Sequence, residues 1–213
     1  MLPGSQQDVK EQSPKTGKQE QPRPTIAIER NVPGRLTQGD FYRDITLLED
    51  VLDNENSIDL TEISYPISIL LNQDCDLESD FRSRSELDAL KPNHDKHLLW
   101  LFFAPVYNYE QFILGEHLLN LEMKMSNHKS NRPMQEQIQK NNMPRYHFLK
   151  FLDKENMPDM IIDFKHFFTL SNPVLFNCRA DKFLFTTTPL FREQISQRFA
   201  YYLSRIGLPN LTS

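Results

Sequence analysis

A mainly β fold with peripheral helices, of the α+β class, is what this sequence predicts. Three observations carry the prediction. His97–Val106 is an uninterrupted apolar run, which reads as a central strand. Shorter runs of similar character, Tyr65–Leu71, Arg145–Leu152 and Met160–Leu170, stand between turn-forming residues. Finally, Thr188-Pro189 and Gly207 frame a terminal segment in which Phe191, Ile195, Phe199, Leu203 and Ile206 recur every three or four residues. That is the stripe of a helix that packs on a core.

Taken in order, Met1 to Pro33 is Gln, Lys, Glu, Pro and Ser with almost no large apolar residue before Ile26. Burial there cannot offset the entropy of ordering, so a disordered tail is expected over residues 1–33. Within it, Thr25–Glu29 alternates briefly and offers an edge strand on docking. A single globular domain is expected from 34 to 213. Gly39–Leu48 suits a strand or the start of a helix equally. Asp53–Ser57 is a turn, and Ile58–Ile63 with Tyr65–Leu71 reads as a strand pair or one bent strand. Ser79–Leu90 is charged and helical, ended by Pro92, Asn93 and Asp95. The His97–Val106 strand is expected to be buried on both faces, with Pro105 at its end, where no ladder donor is needed. Tyr109–Met125 has the apolar spacing of a helix interrupted at Gly115. The polar insertion near 122–144 reads as a mobile excursion or as a short exposed helix starting at Pro133. Arg145–Leu152 and Met160–Leu170 suit a hairpin, Asn172-Pro173 a turn, and Phe183–Thr187 a short strand.

The 213 residues carry 24 Lys and Arg against 29 Asp and Glu, a formal net charge of −5. That balance argues against generic polyanion binding driven by counterion release and leaves room for a local basic patch. With 15 Phe among 38% hydrophobic residues, one domain can build a sizeable core. Cys75 and Cys178 are far apart and form no CxxC pair, so a reduced, cytoplasmic setting is expected. The apolar runs are too short to span a bilayer, and no membrane partner is expected.

The β-favouring run Tyr65–Leu71 breaks abruptly into Asn72, Gln73, Asp74, Cys75 and Asp76. Strand ends of this kind are where a scaffold presents chemistry. Cys75 becomes a nucleophile only where a base or a positive field generates its thiolate, and Asp76 beside it acts the other way. The helper must come from elsewhere, and His147, beside Arg145 and Tyr146, is the candidate. Gln73, Cys75, Asp76, Arg145 and His147 are therefore the candidate catalytic set. The competing reading makes Asp74 or Asp76 the cap of the following helix, Cys75 a small packing residue, and His147 an outward-facing strand residue. Asp74, Asp76, Glu78 and Asp80 lack the glycine and distal Glu of a calcium loop. His94, His97, His117 and His128 lack companion ligands in a zinc pattern, so neither metal nor cofactor is expected. Lys124, Lys129, Arg132, Lys140 and Arg145 lie among Asn and Gln, with Tyr146 and His147 available to stack on bases. This segment is the candidate RNA or DNA surface.

Gly39-Asp40, the strand Tyr65-Pro-Ile-Ser-Ile-Leu-Leu-Asn72, the run closing in Ala104-Pro105-Val106-Tyr107-Asn108, and Met160–Leu170 follow one another in an order that resembles the MazF/PemK family of toxin ribonucleases. The resemblance covers Gly34 to Gly207 and implies an SH3-like barrel with a C-terminal helix. It does not imply the family's ribonuclease activity, because Tyr65 stands where the family has its catalytic Arg, and Tyr107-Asn108 replaces its Thr-Ser pair. The Gln-x-Cys-Asp-Leu segment at Gln73 also resembles uncharacterised bacterial proteins. The expected function is that of a bacterial, cytoplasmic component binding a protein partner, RNA or DNA, in a toxin–antitoxin or defence-like system. The alternative is a nuclease-like or hydrolytic enzyme built on the candidate catalytic set.

Overall fold

The structure, a computed structural model, describes residues 26–30, 34–54, 57–85 and 94–205. Among these residues eight strands form one sheet, in the order β1 (Ile28–Glu29), β8 (Phe183–Thr187), β2 (Asp40–Asn54), β3 (Ser57–Leu70), β4 (Trp100–Asn108), β6 (Met160–Asp163) and β5 (Tyr146–Leu149). The eighth, β7 (Phe168–Ser171), also pairs with β4. Every ladder is antiparallel. Five α-helices flank the sheet among the described residues: α1 (Asp74–Ser85), α2 (Tyr109–Leu114), α3 (Arg132–Gln139), α4 (Asn172–Lys182) and α5 (Pro189–Leu203). The α+β class holds.

The sheet is open rather than a closed barrel. Among the described residues its two ends meet through one parallel bridge just outside β1 and β5, Ile26 to Phe151. There the Ile26 N–H donates to the Lys150 carbonyl at 2.7 Å and the Leu152 N–H donates to the Ile26 carbonyl at 3.2 Å. The edge strand offered by Thr25–Glu29 thus forms as β1, while residues 1–25 and 31–33 of the expected tail lie outside the described residues.

Side-chain alternation explains why the centre of the sheet is covered on both sides. Phe41, Ile69, Ala104 and Phe185 face one core, which α5 caps with Ile195. Their chain neighbours Tyr42, Leu70 and Phe103 face a second core with Leu77 of α1 and Leu175 of α4. Burial on both faces settles Gly39–Leu48 as strand, since a helix would expose one of the two apolar sets. A third cluster, with Phe112, Ile138, Tyr146 and Phe148, lies beneath α2 and α3.

Further expectations change. The start of β4 is half exposed, with Trp100 at 57% and Phe102 at 41% against 0% for Leu101 and Phe103. Pro105 falls within the strand, between the register with β7, which ends at Phe103, and that with β6, which begins at Val106. The ladder therefore needs no donor from it on that edge. Helix α1 starts at Asp74 rather than Ser79, and residues 86–90 lie outside the described residues. Asn172-Pro173 opens α4 rather than a turn; Pro in the first helical turn gives up a donor that has no partner there.

The expected pause at Gly115 ends α2, with φ at 75°, and α3 opens at Arg132, one residue before the expected Pro133, under the Asn131 side chain, which accepts from the Met134 N–H. The terminal helix runs as expected from Pro189, but its buried stripe does not reach its end: Leu203 is 54% exposed, and Ile206 and Gly207 lie outside the described residues.

Gly39 opens β2 in a left-handed turn, where a Cβ would come 2.6 Å from the Thr187 Oγ1. Asp40 behind it is fully buried and accepts from the Thr37 N–H at 2.8 Å and the Tyr42 hydroxyl at 3.2 Å. Burial outweighs these bonds and pushes its carboxyl up to about 6. A carboxyl that holds its proton more tightly when folded adds stability that is fully present below the unfolded value of about 3.9 and is lost as the pH rises through the folded one. In urea denaturation at a series of pH values, the parent is expected to lose about 3 kcal/mol relative to Asp40→Asn across that window. Parallel profiles would contradict this.

Candidate functional site

The polar strand end after β3 is a helix start tied down by its neighbours. The Asn72 side chain accepts the Phe102 N–H at 2.6 Å, and the Gln38 side chain donates to the Leu71 carbonyl at 3.1 Å. Asp74, in the first turn of α1, receives Arg35 through two bonds of 3.1 and 2.7 Å and the Gln38 N–H at 3.2 Å. Burial works to raise the Asp74 carboxyl, but the Arg35 guanidinium and the Gln38 N–H outweigh it and hold it below its ordinary value. A carboxylate here also suits the positive end of the helix.

The candidate catalytic set is not assembled. Cys75 is exposed, and its thiol points toward the Gln73 Oε1 and the Asp76 Oδ1, each at 3.7 Å. A shallow depression beside it is lined by Glu78, Ser79, Arg82 and Lys96, with no histidine among them. His147 is buried in β5, so it is neither the expected base nor the expected outward-facing residue. Burial, with Arg198 adding to it, pulls its imidazole down to about 3, too weak a base for work near neutrality. Arg145 is engaged elsewhere, donating to both carboxylate oxygens of Asp163 at 2.8 and 2.6 Å.

Of the candidate nucleic-acid residues, Lys124, Lys129, Arg132 and Lys140 are exposed on the insertion between α2 and β5. Lys140 pairs with Glu136 at 3.3 Å. Tyr146, by contrast, is buried edge-on against Phe112 with ring centroids 4.9 Å apart. It offers no open face to a passing base.

Two buried carboxylates organise this end of the molecule and the α1–α4 interface. Asp163 is fully buried, and beyond Arg145 it accepts the Lys165 N–H at 3.0 Å, with the His166 Nδ1 3.3 Å away. Asp80 accepts from the Arg84 Nε, the Leu98 N–H at 2.6 Å and the Asn172 side chain at 3.1 Å. The Asp80–Arg84 spacing was a usable helical signal. The Asp163 partnership required knowing that β5 and β6 pair.

The other unforeseen feature is the β2–β3 hairpin. β8 pairs with β2 only at Asp40–Tyr42, and β4 pairs with β3 only at Ser68–Leu70. Beyond that root the two strands continue as a ribbon. Arg43 and Lys182 hold the root, donating to the carbonyls of Asp181 and Asp44 respectively. Asp44 has φ of 53° and stands opposite Pro66, which lacks an N–H, between the pairs Arg43–Ile67 and Ile45–Tyr65, while the register itself shifts between Leu48 and Asp50. Past Leu47 and Ile63, residues Leu48, Glu49, Asp50, Asp59, Leu60, Thr61 and Glu62 are all exposed. At about 3.3 Å per residue, Leu48 to Asn54 reaches roughly 20 Å. Between Leu48 and Ile63 the sequence holds Glu49, Asp50, Asp53, Glu55, Asp59 and Glu62 and no Lys, Arg or His. In the ladder Leu48 faces Glu62, Asp50 faces Thr61, Leu52 faces Asp59 and Asp53 faces Ile58. No carboxylate directly opposes another in these pairs, which limits the cost of the charge to the ribbon.

Tyr65, Tyr107 and Asn108 have packing and capping partners here. Tyr65 stacks on Phe168 with ring centroids 4.8 Å apart, Tyr107 is buried, and the Asn108 side chain caps α2 by accepting from the N–H groups of Glu110 and Gln111. Comparison with protein-family models, curated proteins and solved structures found no match.

Proposed function

We propose that the chain is a binding component that docks a basic protein partner on its β2–β3 ribbon. The carrying observation is the exposed distal ribbon, where Glu49, Asp50, Asp59 and Glu62 are exposed beside Leu48 and Leu60, at 56% and 58%, and where the sequence between Leu48 and Ile63 holds no basic residue. Carboxylates steer and orient a cationic surface, and the apolar side chains supply area to bury once it docks. Charge also discourages strand addition along the ribbon's two edges, so the partner is read by side chains. The order of segments shared with MazF/PemK proteins suggests a bacterial toxin–antitoxin or defence-like system as the setting.

A Lys- and Arg-rich peptide is the probe. Its affinity for the full chain is expected to fall about tenfold or more when Glu49→Gln, Asp50→Asn, Asp53→Asn, Asp59→Asn and Glu62→Gln are combined, and to weaken with salt in the parent. Unchanged affinity in the amide variant, with its melting intact, would rule out the ribbon as the docking element.

A further inference from the structure

We infer that the cavity between α1 and α4 is a second, separate binding site, which takes a small uncharged molecule with an apolar body and one hydrogen-bond donor. The cavity has a volume of about 400 Å³ and is partly open to solvent, a size in the range of pockets that hold small molecules. Leu36, Leu77, Phe81, Pro173 and Phe176 form its apolar walls. Phe81 and Phe176 remain 37% and 56% exposed, so the two helices leave uncovered apolar area that a guest would remove from water.

Asn172, Asp80 and Arg84 supply the polar side of the cavity. Asn172 is only 3% exposed, and its side-chain nitrogen donates to the Asp80 Oδ2 and to the Leu98 carbonyl, each at 3.1 Å. Both N–H groups are thus committed, and those two acceptors fix which end of the amide is the oxygen. No described residue donates to that oxygen. A buried acceptor left unused is costly, and a donor on the guest relieves it. Arg84 lies alongside, its Nη2 donating to the same Leu98 carbonyl at 3.2 Å, while its Nη1 has no partner among the described residues. A single hydroxyl can therefore donate to Asn172 and accept from Arg84. Charge on the guest is disfavoured, because Asp80 and Arg84 already pair at 2.9 Å. The carboxylate repels an anion, the guanidinium repels a cation, and neither has an opposite charge left to offset the guest's desolvation.

The test is NMR on the full chain near neutral pH, following the Asn172 side-chain amide and the Phe81 and Phe176 rings as four compounds with one shared ring system are added. Naphthol is the probe. Methoxynaphthalene lacks its donor, naphthoate carries an anion and naphthylmethylammonium a cation. Expected are saturable shifts at all three residues with naphthol, and affinities about tenfold or more weaker for each of the other compounds. Phe81→Ala combined with Phe176→Ala, at two partly exposed positions, should weaken naphthol by about tenfold or more. Absence of saturable shifts with naphthol, equal affinity for any of the other three compounds, or unchanged affinity in the double variant would each overturn the proposal. The four-compound comparison uses the parent protein and stands whether or not the variant folds. The ribbon's amide variant leaves every residue of this cavity in place, so the two proposals fail separately.

Discussion

Asp163→Ala is expected to lower the unfolding free energy by about 3–5 kcal/mol, the range for breaking a buried ion pair by removing one partner. The carboxylate is fully buried and the Arg145 guanidinium mostly so, with side-chain exposures of 0% and 24%. Burial holds His166 below its ordinary value despite the nearby Asp163, so near neutrality Arg145 is the countercharge. Truncating the carboxylate strands that cation and leaves the Lys165 N–H without its acceptor. The double change Arg145→Met with Asp163→Leu removes both charges and should recover much of the loss, because an apolar pair avoids the desolvation that the ion pair incurs. Urea denaturation of the parent, the single and the double variant measures both quantities. A loss below about 1 kcal/mol for Asp163→Ala would show that solvent reaches the pair.

Phe41→Ala should cost about 3–5 kcal/mol, for a different reason. Phe41 is fully buried, stacks on Phe185 at 4.4 Å, and pairs with Ile69 on its other side. Truncation opens a cavity where β8, β2 and β3 run side by side, and close-packed neighbours relax only partly into it. Leu48→Ala on the same strand is the control: at 56% exposed it should change stability by less than about 0.5 kcal/mol. Comparable losses at the two positions would mean that the distal ribbon is packed against something in solution.

How legible this was in the sequence depended on whether the signal was local. Phe183–Thr187 and the Thr188-Pro189 start of α5 were readable because a strand's composition and a helix's first turn are written in adjacent residues. Asn172-Pro173 misled because the same dipeptide serves a turn and a helix start, and what decides is Leu175 reaching a core assembled from distant strands. His147 looked available because Arg145 and Tyr146 flank it, but its burial follows from the pairing with Ile162 on β6. The ribbon escaped notice for a related reason: Gly39–Leu48 suited a helix as well as a strand, and nothing near Leu48 announces that β2 runs on to Asn54 after β8 and β4 stop pairing.

The seam at Ile26 sets an order of events for the folding chain. Ile26 needs Phe151, Ile28 needs Thr187, and Arg30 reaches Glu155 across 125 positions. The first of the described strands therefore pairs with the last, and contacts of such separation carry the largest loop-closure cost. During synthesis the β2–β3 hairpin can zip at once, whereas β1 has no strand to pair with until β8 has emerged. By the same reasoning, the seam is where a chain under tension at its N-terminus would part first.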